Sequence, residues 1–368
     1  MEDKIITVDK LQDKLNNKEP VFILDVRPTD LRKEWRIAGS AHVDAYRLLN
    51  AGDETALDMV EIPENSTVVT VCAAGRTSML ATELLRRKGV QSYSLEGGMK
   101  AWNYAWNKAE VDFPNGVKVI QVRRAAKGVL SYVVGSSREA VVIDAALDPE
   151  VYMDLSKQNG WTIKYVLDTH IHADYVSRTR ALAGKTGAKH LLIDSAKVDF
   201  EFTPMAPNQS IKFGNSRLQF RHTPGHTWES TTFILDSNAI FTGDTLFIDG
   251  IGRPDLKAEQ SEAVEKAKSL YRSLNGLLSL NPSLLVLPAH TSSTIAFDDK
   301  LIGDTINKVG EKIAQVKLSE SEFVEYALSK IPPTPPNYLT IVGINKQGSY
   351  EGQQLADLEA GGNHCAIS

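Results

Sequence analysis

The stretch His170-Ile171-His172-Ala173-Asp174-Tyr175 decides the fold of the larger part of the chain, because it lies two residues after the apolar, strand-like run Tyr165-Val166-Leu167. Three later segments repeat the pattern of an apolar run that ends in a short turn with a histidine or an aspartate: Thr223-Pro224-Gly225-His226, Phe241-Thr242-Gly243-Asp244 and Pro288-Ala289-His290. Neutral imidazoles and ionised carboxylates bind metals, and rigid strand ends hold such side chains together. The pattern therefore predicts a metal site where several strands end.

The length and composition of the chain narrow the classes of function. A chain of 368 residues is expected to form two domains, each with a full core. Its hydrophobic content of 42%, charged content of 24% and formal charge of −5 are those of a globular protein without a basic surface for nucleic acid. We therefore expect a small-molecule partner and no nucleic-acid partner, and the sequence is compatible with a homo-oligomer.

The location of the protein is predicted from the same composition. The first residues have no apolar core of signal-peptide length, and no run approaches the roughly 18 apolar residues of a membrane span. We expect a cytoplasmic protein without a membrane partner, in which Cys72 and Cys365 are thiols rather than a disulfide. Cys365 lies three residues from the end, where fraying is normal, and is given no role.

The first of the two predicted domains has the pattern of a parallel α/β sheet. Residues 21–26 and 67–71 are short β-branched runs typical of buried parallel strands, and the second leads through a tight loop into a helix. Residues 109–116 are polar and interrupted by proline and glycine, which predicts a linker. The expected domains are therefore residues 1–108 and 117–368.

The second predicted domain alternates strand and helix patterns and is expected to be a layered α/β domain. Strands are predicted at 117–122, 130–134, 140–143, 211–220, 231–235 and 284–287, and helices near 150–158, 260–274 and 300–316.

The loop from Cys72 to Ser78 has the features of a nucleophilic cysteine site. A thiolate is stabilised by backbone N–H groups, a helix N-terminus and a nearby cation. Gly75 permits a tight curve with N–H groups turned inward, Arg76 supplies the charge, and a helical pattern follows. We expect this loop to bind an anion and Cys72 to react as a nucleophile.

From Val117 onward the chain resembles the metallo-β-lactamase superfamily, which implies an αββα sandwich. The signature of that superfamily is His-x-His-x-Asp-His with two bound metals, whereas this chain has Tyr175 in place of the last histidine, which favours a single metal. Within the superfamily it resembles the persulfide dioxygenases, and this implies one Fe(II) per chain held by His170, His226 and Asp244. Two histidines and one carboxylate form the facial triad of non-haem Fe(II) oxygenases.

The same resemblance assigns further residues around the metal. His172, Asp174, Tyr175 and His290 are expected to orient the ligands or the substrate, although zinc could recruit His172 instead. Arg253 is expected to contact the thiol substrate, because arginine pairs well with a carboxylate. Two departures weigh against glutathione: Thr291-Ser292 stands where glutathione-dependent relatives have a tyrosine, and Asp249 where some have an arginine.

Most of residues 1–108 resembles the rhodanese family, on the cysteine loop and three further segments: Leu24-Asp25-Val26-Arg27, Ile37-Ala38-Gly39-Ser40-Ala41-His42 and Leu95-Glu96-Gly97-Gly98-Met99-Lys100-Ala101-Trp102. The resemblance implies that Cys72 carries sulfane sulfur as a persulfide and that Arg76 assists it. The remaining loop residues are expected to bind the persulfide: Ala73, Ala74, Gly75, Thr77 and Ser78.

Both halves of the chain thus point to sulfane sulfur chemistry. The main hypothesis is oxidation by O2 of a low-molecular-weight persulfide, carried by glutathione, coenzyme A or a similar thiol, to sulfite and thiol, coupled to sulfur transfer between thiosulfate and sulfite through Cys72. One alternative is a zinc-dependent thioester hydrolase of the glyoxalase II type joined to a sulfurtransferase domain. The other, from a different class, is a non-catalytic sulfur-binding or regulatory module.

Overall fold

The N-terminal part of the chain folds around a five-stranded parallel sheet with strand order β1-β5-β4-β2-β3. The computed structural model describes residues 4–256, 258–334 and 336–367. The strands are Ile5–Ile6 (β1), Val21–Asp25 (β2), Ala41–His42 (β3), Thr67–Val71 (β4) and Ser92–Leu95 (β5). The helices are Val8–Asn16 (α1), Thr29–Glu34 (α2), Tyr46–Ala51 (α3), Arg76–Arg87 (α4) and Gly98–Trp102 (α5).

The two central strands of this sheet are apolar on both faces, as their sequence predicts. Ile23 and Val69 pack in one core cluster, whereas their neighbours Leu24 and Val68 pack in another. Burial of both faces is typical of parallel sheets that carry helices on each side. The strands predicted at 21–26 and 67–71 are thereby confirmed to within one residue.

The rest of the chain contains two large mixed sheets and a two-stranded ribbon. The first sheet has the order β12-β11-β10-β9-β8-β7-β6, the second the order β13-β14-β15-β16-β18-β19, and the ribbon pairs β17 with β20. The strands are Trp106–Asp112 (β6), Val117–Arg124 (β7), Val129–Ser136 (β8), Glu139–Ile143 (β9), Thr162–Leu167 (β10), Lys189–Ile193 (β11), Thr203–Met205 (β12), Ser210–Phe213 (β13), Ser216–His222 (β14), Thr231–Leu235 (β15), Ala239–Gly243 (β16), Ile251–Gly252 (β17), Leu285–Pro288 (β18), Asp304–Thr305 (β19) and Ala366–Ile367 (β20).

Most helices of this part cover the outer faces of the two large sheets. The helices are Pro149–Gln158 (α6), Thr179–Thr186 (α7), Gln260–Leu278 (α8), Ile306–Lys312 (α9), Glu320–Ser329 (α10), Tyr338–Gln347 (α11) and Leu355–Leu358 (α12), with a 3-10 turn at Ala314–Lys317. By contrast, α11 packs against the segment after β10, and α12 contacts α5. No helix among the described residues combines the length and the apolar character needed to cross a bilayer.

Side-chain alternation along the strands builds the layers. On β7, Val119 faces the other large sheet, where it shares a core with residues such as Phe220, whereas Ile120 faces helices α6 and α7. On β16, Phe241 lies in the core between the sheets and Ile240 packs against α8. The four layers are therefore helix, sheet, sheet and helix. This confirms the predicted αββα sandwich, which follows a parallel α/β domain in the chain.

Three local predictions from the sequence are wrong. Residues 109–112 are not linker but the second half of β6, which pairs with β7 over its full length and buries Asn107 and Ala109. The strand predicted at 211–220 is the hairpin β13–β14, because Gly214 turns the chain with a φ of +50°. The helix predicted at 300–316 is divided, since β19 precedes α9 and a 3-10 turn follows it.

A buried glutamate near the C-terminus forms hydrogen bonds with parts of the chain that lie far from it in the sequence. The Glu359 carboxylate accepts hydrogen bonds from Arg124, Arg178 and the Val176 N–H at 2.9 to 3.1 Å. Its backbone carbonyl accepts from Lys127 and from Asn103 at the end of α5. Burial opposes ionisation of Glu359, but Arg124 and Arg178 outweigh it and lower the pKa of the carboxyl group.

We predict that Glu359→Gln lowers the free energy of unfolding by about 3–5 kcal/mol at neutral pH, because it leaves two buried guanidinium groups without a counter-charge. The folded-state pKa lies below the usual value of about 4.3, so this contribution is present above about pH 4.3 and is lost as the pH falls through the folded pKa. Urea unfolding of both proteins between neutral and acid pH measures it.

Asp357, two residues before Glu359, forms an exposed ion pair with Lys100 and provides the control. Asp357→Asn should change the free energy of unfolding by less than about 1 kcal/mol. Equal losses in the two variants would contradict the role given to Glu359.

Candidate metal centre and cysteine loop

The four predicted metal-site segments all follow the ends of strands in the αββα sandwich. His170 lies after β10, His226 after β14, Asp244 directly after β16, and His290 two residues after β18. Strands β14, β16 and β18 run in the same direction, because β15 is antiparallel to both β14 and β16 while β18 is parallel to β16. Their ends therefore meet at one edge of the sheet, and β10 brings His170 to it from the facing sheet.

His170, His226 and Asp244 converge with the spacing of metal ligands. Asp244 Oδ2 lies 3.7 Å from His170 Nε2 and 3.6 Å from His226 Nε2. All three side chains are buried, and His170 Nε2 and Asp244 Oδ2 have no hydrogen-bond partner among the described residues. Buried polar atoms without partners cost free energy, and a cation between these three donors would satisfy them. The donor set and its spacing thus fit a metal ion.

The surrounding backbone explains why these side chains point inward. The Asp144 carboxylate accepts hydrogen bonds from the N–H and hydroxyl groups of Thr169, and that hydroxyl lies 3.0 Å from His170 Nδ1. His226 Nδ1 lies 2.8 Å from the Arg253 carbonyl oxygen, to which it donates a hydrogen bond when that nitrogen is protonated. Fixing the far nitrogen of each ring leaves Nε2 for the metal, as is usual around metal-binding histidines.

The protonation of the two imidazoles also suits metal binding. Burial lowers the pKa of His170 well below its usual value, and the nearby His172 and His226 lower it further. Burial lowers the pKa of His226 too, against the opposing effect of Asp244. Both rings are therefore neutral at neutral pH, which is the form that binds metals.

His172 and Tyr175 lie behind the three converging ligands. His172 Nε2 is 3.2 Å from Asp144 Oδ1 and 2.9 Å from the Tyr175 hydroxyl, and its ring is tilted against that of His170. Both residues thus contact the group that positions His170. The sequence analysis missed Asp144, which positions His170 through Thr169. Its place directly after the apolar run 140–143 was the signal that could have identified it.

His290 links two carboxylates on the other side of Asp244. Its Nδ1 lies 2.6 Å from Asp244 Oδ1 and its Nε2 lies 2.9 Å from Asp174 Oδ2. Burial opposes the charged form of His290, but Asp244 and Asp174 raise its pKa to about 10. The contact fixes the orientation of the Asp244 carboxylate, so that its other oxygen faces His170 and His226.

Arg253 does not meet the expectation of a substrate contact. Its side chain is fully buried and forms a bidentate pair with Asp255, and the remaining nitrogen donates to the carbonyl oxygens of Pro333 and His364. These bonds use four of the five N–H donors of the guanidinium group, so it cannot form a bidentate pair with a substrate carboxylate without breaking one of them. Arg253 instead holds the C-terminal segment beside the metal centre.

The C-terminal segment also overturns the expectation for Cys365. Strand β20 pairs with β17, the Arg253 N–H donates to the Cys365 carbonyl oxygen, and the Cys365 side chain is 1% exposed. The residue is therefore ordered in the interior rather than frayed. Donor atoms of Cys365, Asp174 and His290 lie within 4.8 Å of one another. The sequence carried no local signal for this, since the contact joins segments 75 or more residues apart.

A cavity of about 200 Å³ opens beside His226 and is walled on one side by α11. Its apolar lining includes Ile171, Leu256 and Val342, and its charged lining consists of Glu229, Glu262, Lys266 and Lys346. Helix α11 is fixed to the metal-binding loop by Asn345, which donates to the carbonyl oxygens of His172 and Tyr175. A small ligand with both apolar and charged parts fits such a cavity.

The cysteine loop has the donors that its sequence predicts. Cys72 Sγ accepts hydrogen bonds from the Gly75 N–H at 3.1 Å and the Ser78 hydroxyl at 3.3 Å. Gly75 has a φ of +91° and begins α4, and Arg76 is exposed in the first turn of that helix. Thr77 is buried and contacts Asn50, whereas Ala73 and Ala74 are exposed at the rim. The helix N-terminus and these donors stabilise negative charge on sulfur.

Comparison with known proteins assigns both parts of the chain. Residues 7–105 match the family model described as "Rhodanese-like domain", and residues 125–290 match that of the "Metallo-beta-lactamase superfamily". Residues 7–105 are therefore similar to rhodanese-like domains, and residues 125–290 are similar to the metallo-β-lactamase superfamily.

Individual relatives match part of the chain. The chain is 35% identical over 169 residues to the mitochondrial persulfide dioxygenase ETHE1 of Mus musculus, a match that covers 44% of this chain and 63% of the relative. It is 34% identical over 118 residues to a hydroxyacylglutathione hydrolase of Brucella anthropi, covering 31% of this chain and 42% of the relative. The chain thus spans less than two thirds of the length of these relatives.

A solved structure supports the fold of the same region. The crystal structure of ETHE1 from Myxococcus xanthus superimposes with a TM-score of 0.54 at 23% identity, covering 65% of this chain and 98% of that one. At this identity the likeness establishes the fold of the sandwich and not its activity.

We predict that Ser78→Ala slows the alkylation of Cys72 by iodoacetamide about tenfold at neutral pH, because one hydrogen bond to a charged group contributes about 1.5 kcal/mol or more. The rate is measured by mass spectrometry of the peptide that contains Cys72. Thr77→Val is the matched control, because Thr77 contacts Asn50 and not the sulfur. A rate unchanged in Ser78→Ala would mean that the hydroxyl does not stabilise the thiolate.

Proposed function

We propose that residues 117–368 oxidise a low-molecular-weight persulfide with O2 at one Fe(II) held by His170, His226 and Asp244. The overall reaction converts RSS⁻, O2 and H2O to RSH and HSO3⁻, so that the terminal sulfur is oxidised and the carrier thiol is released. The observation that carries this proposal is the convergence of two neutral imidazoles and one carboxylate around unpartnered buried atoms. Similarity to persulfide dioxygenases supports it.

The chemistry of iron in such a site explains the choice of metal. A two-histidine, one-carboxylate set leaves coordination positions at which Fe(II) can activate O2 beside a bound sulfur. The residues of the chain supply the rest of the site: Thr169 and the Arg253 carbonyl orient the two imidazoles, and His290 orients Asp244. Burial of all three ligands limits access of bulk water to the reacting atoms.

The charged residues around the cavity beside His226 favour a carrier thiol that has both positive and negative groups. Lys266 and Lys346 suit carboxylates, whereas Glu229 and Glu262 suit an ammonium group and disfavour a polyanion such as coenzyme A. Glutathione has both kinds of charge, so we propose glutathione persulfide as the first substrate to test. In this proposal Lys266 and Lys346 bind the carboxylates of the substrate, the role that the sequence analysis expected of Arg253.

We propose that residues 1–108 transfer sulfane sulfur and that both parts of the chain act in the cytoplasm. The Cys72 thiolate attacks the outer sulfur of thiosulfate, the S–S bond breaks, sulfite leaves, and Cys72 becomes a persulfide. The reverse reaction consumes the sulfite that the iron site releases. The Gly75 N–H and the Ser78 hydroxyl, which bond to the sulfur, stabilise the anionic forms of Cys72 in either direction, with Arg76 assisting. Fusion of the two domains raises the local concentration of the shared product.

A thioester hydrolase is the second candidate, because the hydroxyacylglutathione hydrolases also match this chain. That reaction uses water activated by metal. The hydroxyl of Tyr175 bonds to His172, away from the converging ligands, so Tyr175 does not replace the histidine of the superfamily signature. This observation favours the dioxygenase.

We expect purified protein reconstituted with Fe(II) to consume O2 with glutathione persulfide and release sulfite, and Asp244→Ala to lose this activity by at least a hundredfold because the triad loses its carboxylate. An oxygen electrode measures the O2 consumed, and sulfite analysis measures the product released. Thermal unfolding of the variant shows whether its fold is kept.

Three outcomes contradict this proposal. Cleavage of S-lactoylglutathione without O2 uptake would identify the hydrolase. Unchanged turnover in a folded Asp244→Ala variant would contradict metal catalysis. Absence of both activities from the iron-loaded protein would leave the non-catalytic sulfur-binding module as the better interpretation.

We predict that Cys72→Ser abolishes sulfur transfer from thiosulfate to cyanide but leaves the oxidation of added glutathione persulfide within about twofold of the parent, since Cys72 does not line the cavity at His226. Cyanide-dependent thiocyanate formation and O2 uptake measure the two reactions separately. Loss of both activities in a folded variant would mean that the iron site receives sulfur only through Cys72.

A further inference from the structure

The hydroxyl group that donates to the sulfur of Cys72 has a second buried partner. Ser78 Oγ lies 3.3 Å from Cys72 Sγ and 2.8 Å from the hydroxyl oxygen of Ser94, a residue of the neighbouring strand β5. Both serines are buried, and the Ser94 hydroxyl lies 3.4 Å from the Gly75 carbonyl oxygen. Because the Gly75 N–H donates to the sulfur, these four residues form a closed ring of contacts.

The hydrogens of this ring can be assigned when Cys72 is a thiolate. A serine hydroxyl carries one hydrogen and donates one hydrogen bond at a time. Ser78 then has to donate to the sulfur, which leaves its own oxygen as an acceptor for the hydrogen of Ser94. Hydrogen bonds to a charged group are the stronger ones, and a chain of bonds that point the same way polarises its members. Ser94 thus strengthens the donor that stabilises the thiolate.

The proposed sulfur transfer moves the negative charge away from Cys72 Sγ. When the thiolate takes the outer sulfur of thiosulfate, Sγ becomes the neutral inner sulfur of the persulfide and the charge goes to the outer sulfur. The Ser78 hydroxyl can then turn to donate to Ser94, while Ser94 donates to the Gly75 carbonyl oxygen. Ser94 is therefore a partner of Ser78 in both states. Among the described residues, the Ser78 hydroxyl has no other partner besides the sulfur.

We propose that Ser94 is a positioning residue for Cys72, and that the Ser78–Ser94 hydroxyl pair reverses its direction of donation as the charge on the sulfur changes. This inference rests on the proposed sulfur transfer and extends it to a residue outside the cysteine loop. Without a hydroxyl at position 94, the thiol proton of Cys72 becomes the donor left for the buried Ser78 oxygen. Since a buried acceptor without a donor is costly, the protonated form of Cys72 is then favoured.

Ser94→Ala should slow the alkylation of Cys72 by iodoacetamide about fivefold at neutral pH and raise the pH of half-maximal rate by about 0.7 unit, because the chain loses one neutral hydrogen bond. Mass spectrometry of the peptide that contains Cys72, over a series of pH values, measures this profile. The matched control is Ser92→Ala, because this buried serine of the same strand donates to the carbonyl oxygens of Thr82 and Val90. An unchanged profile in Ser94→Ala, or the same shift in Ser92→Ala, would overturn the proposal.

The double variant Ser78→Ala/Ser94→Ala tests whether Ser94 acts through Ser78. We expect its alkylation rate to lie within about twofold of that of Ser78→Ala, because residues that act through one contact are not additive. A further loss of about fivefold, as expected for independent effects, would mean that Ser94 affects the loop by packing and would refute the positioning role.

Failure of this inference is distinguishable from failure of the proposed sulfur transfer, because alkylation needs no sulfur donor. A shifted profile in Ser94→Ala, with no thiocyanate formed from thiosulfate and cyanide by the parent, would refute the transfer alone. Thiocyanate formation by the parent, with an unchanged profile in Ser94→Ala, would refute the role of Ser94 alone. If the double variant unfolds, as judged by circular dichroism, the single variants still decide the question through the pH profile.

Discussion

The carboxylate of Asp244 is the constraint on which the centre of this protein depends. A fully buried carboxylate is tolerated only with partners, and Asp244 has His290 at one oxygen while the other faces two imidazole nitrogens. His170, His226 and His290 follow β10, β14 and β18, so both large sheets of the sandwich have to pack in the correct relative position before these side chains surround the carboxylate. Fold and metal site are therefore specified by the same contacts.

The C-terminal segment is part of this centre rather than an appendage to it. Helix α11 walls the cavity, Asn345 holds the loop that contains His172, and Glu359 neutralises Arg124 and Arg178 in the interior. The Glu359 carbonyl oxygen also accepts from Asn103 of the rhodanese-like part. Substitutions in this segment are thus expected to affect the metal site and the contact between the two parts of the chain together.

The sequence predicted those features that arise from local patterns. Alternating and continuous apolar runs located most strands, and polar turns at strand ends located His170, His226, Asp244 and His290. Two of the errors occur at hairpins: β6 is a strand because β7 pairs with it despite the polar composition of residues 109–112, and β13–β14 is a hairpin because Gly214 turns the chain. Asp144 offered a local signal of the same kind at a strand end and was missed.

Arg253 and Cys365 show why the remaining parts of the site could not be derived from spacing. The sequence pattern around Arg253 suggested a contact with substrate, yet Asp255 and two carbonyl oxygens occupy the guanidinium group. The contact with the His364 carbonyl oxygen exists because the last residues return to pair with β17. The same return places the Cys365 thiol beside Asp174 and His290, so an arginine expected to bind substrate instead fixes the C-terminal segment beside the candidate metal centre.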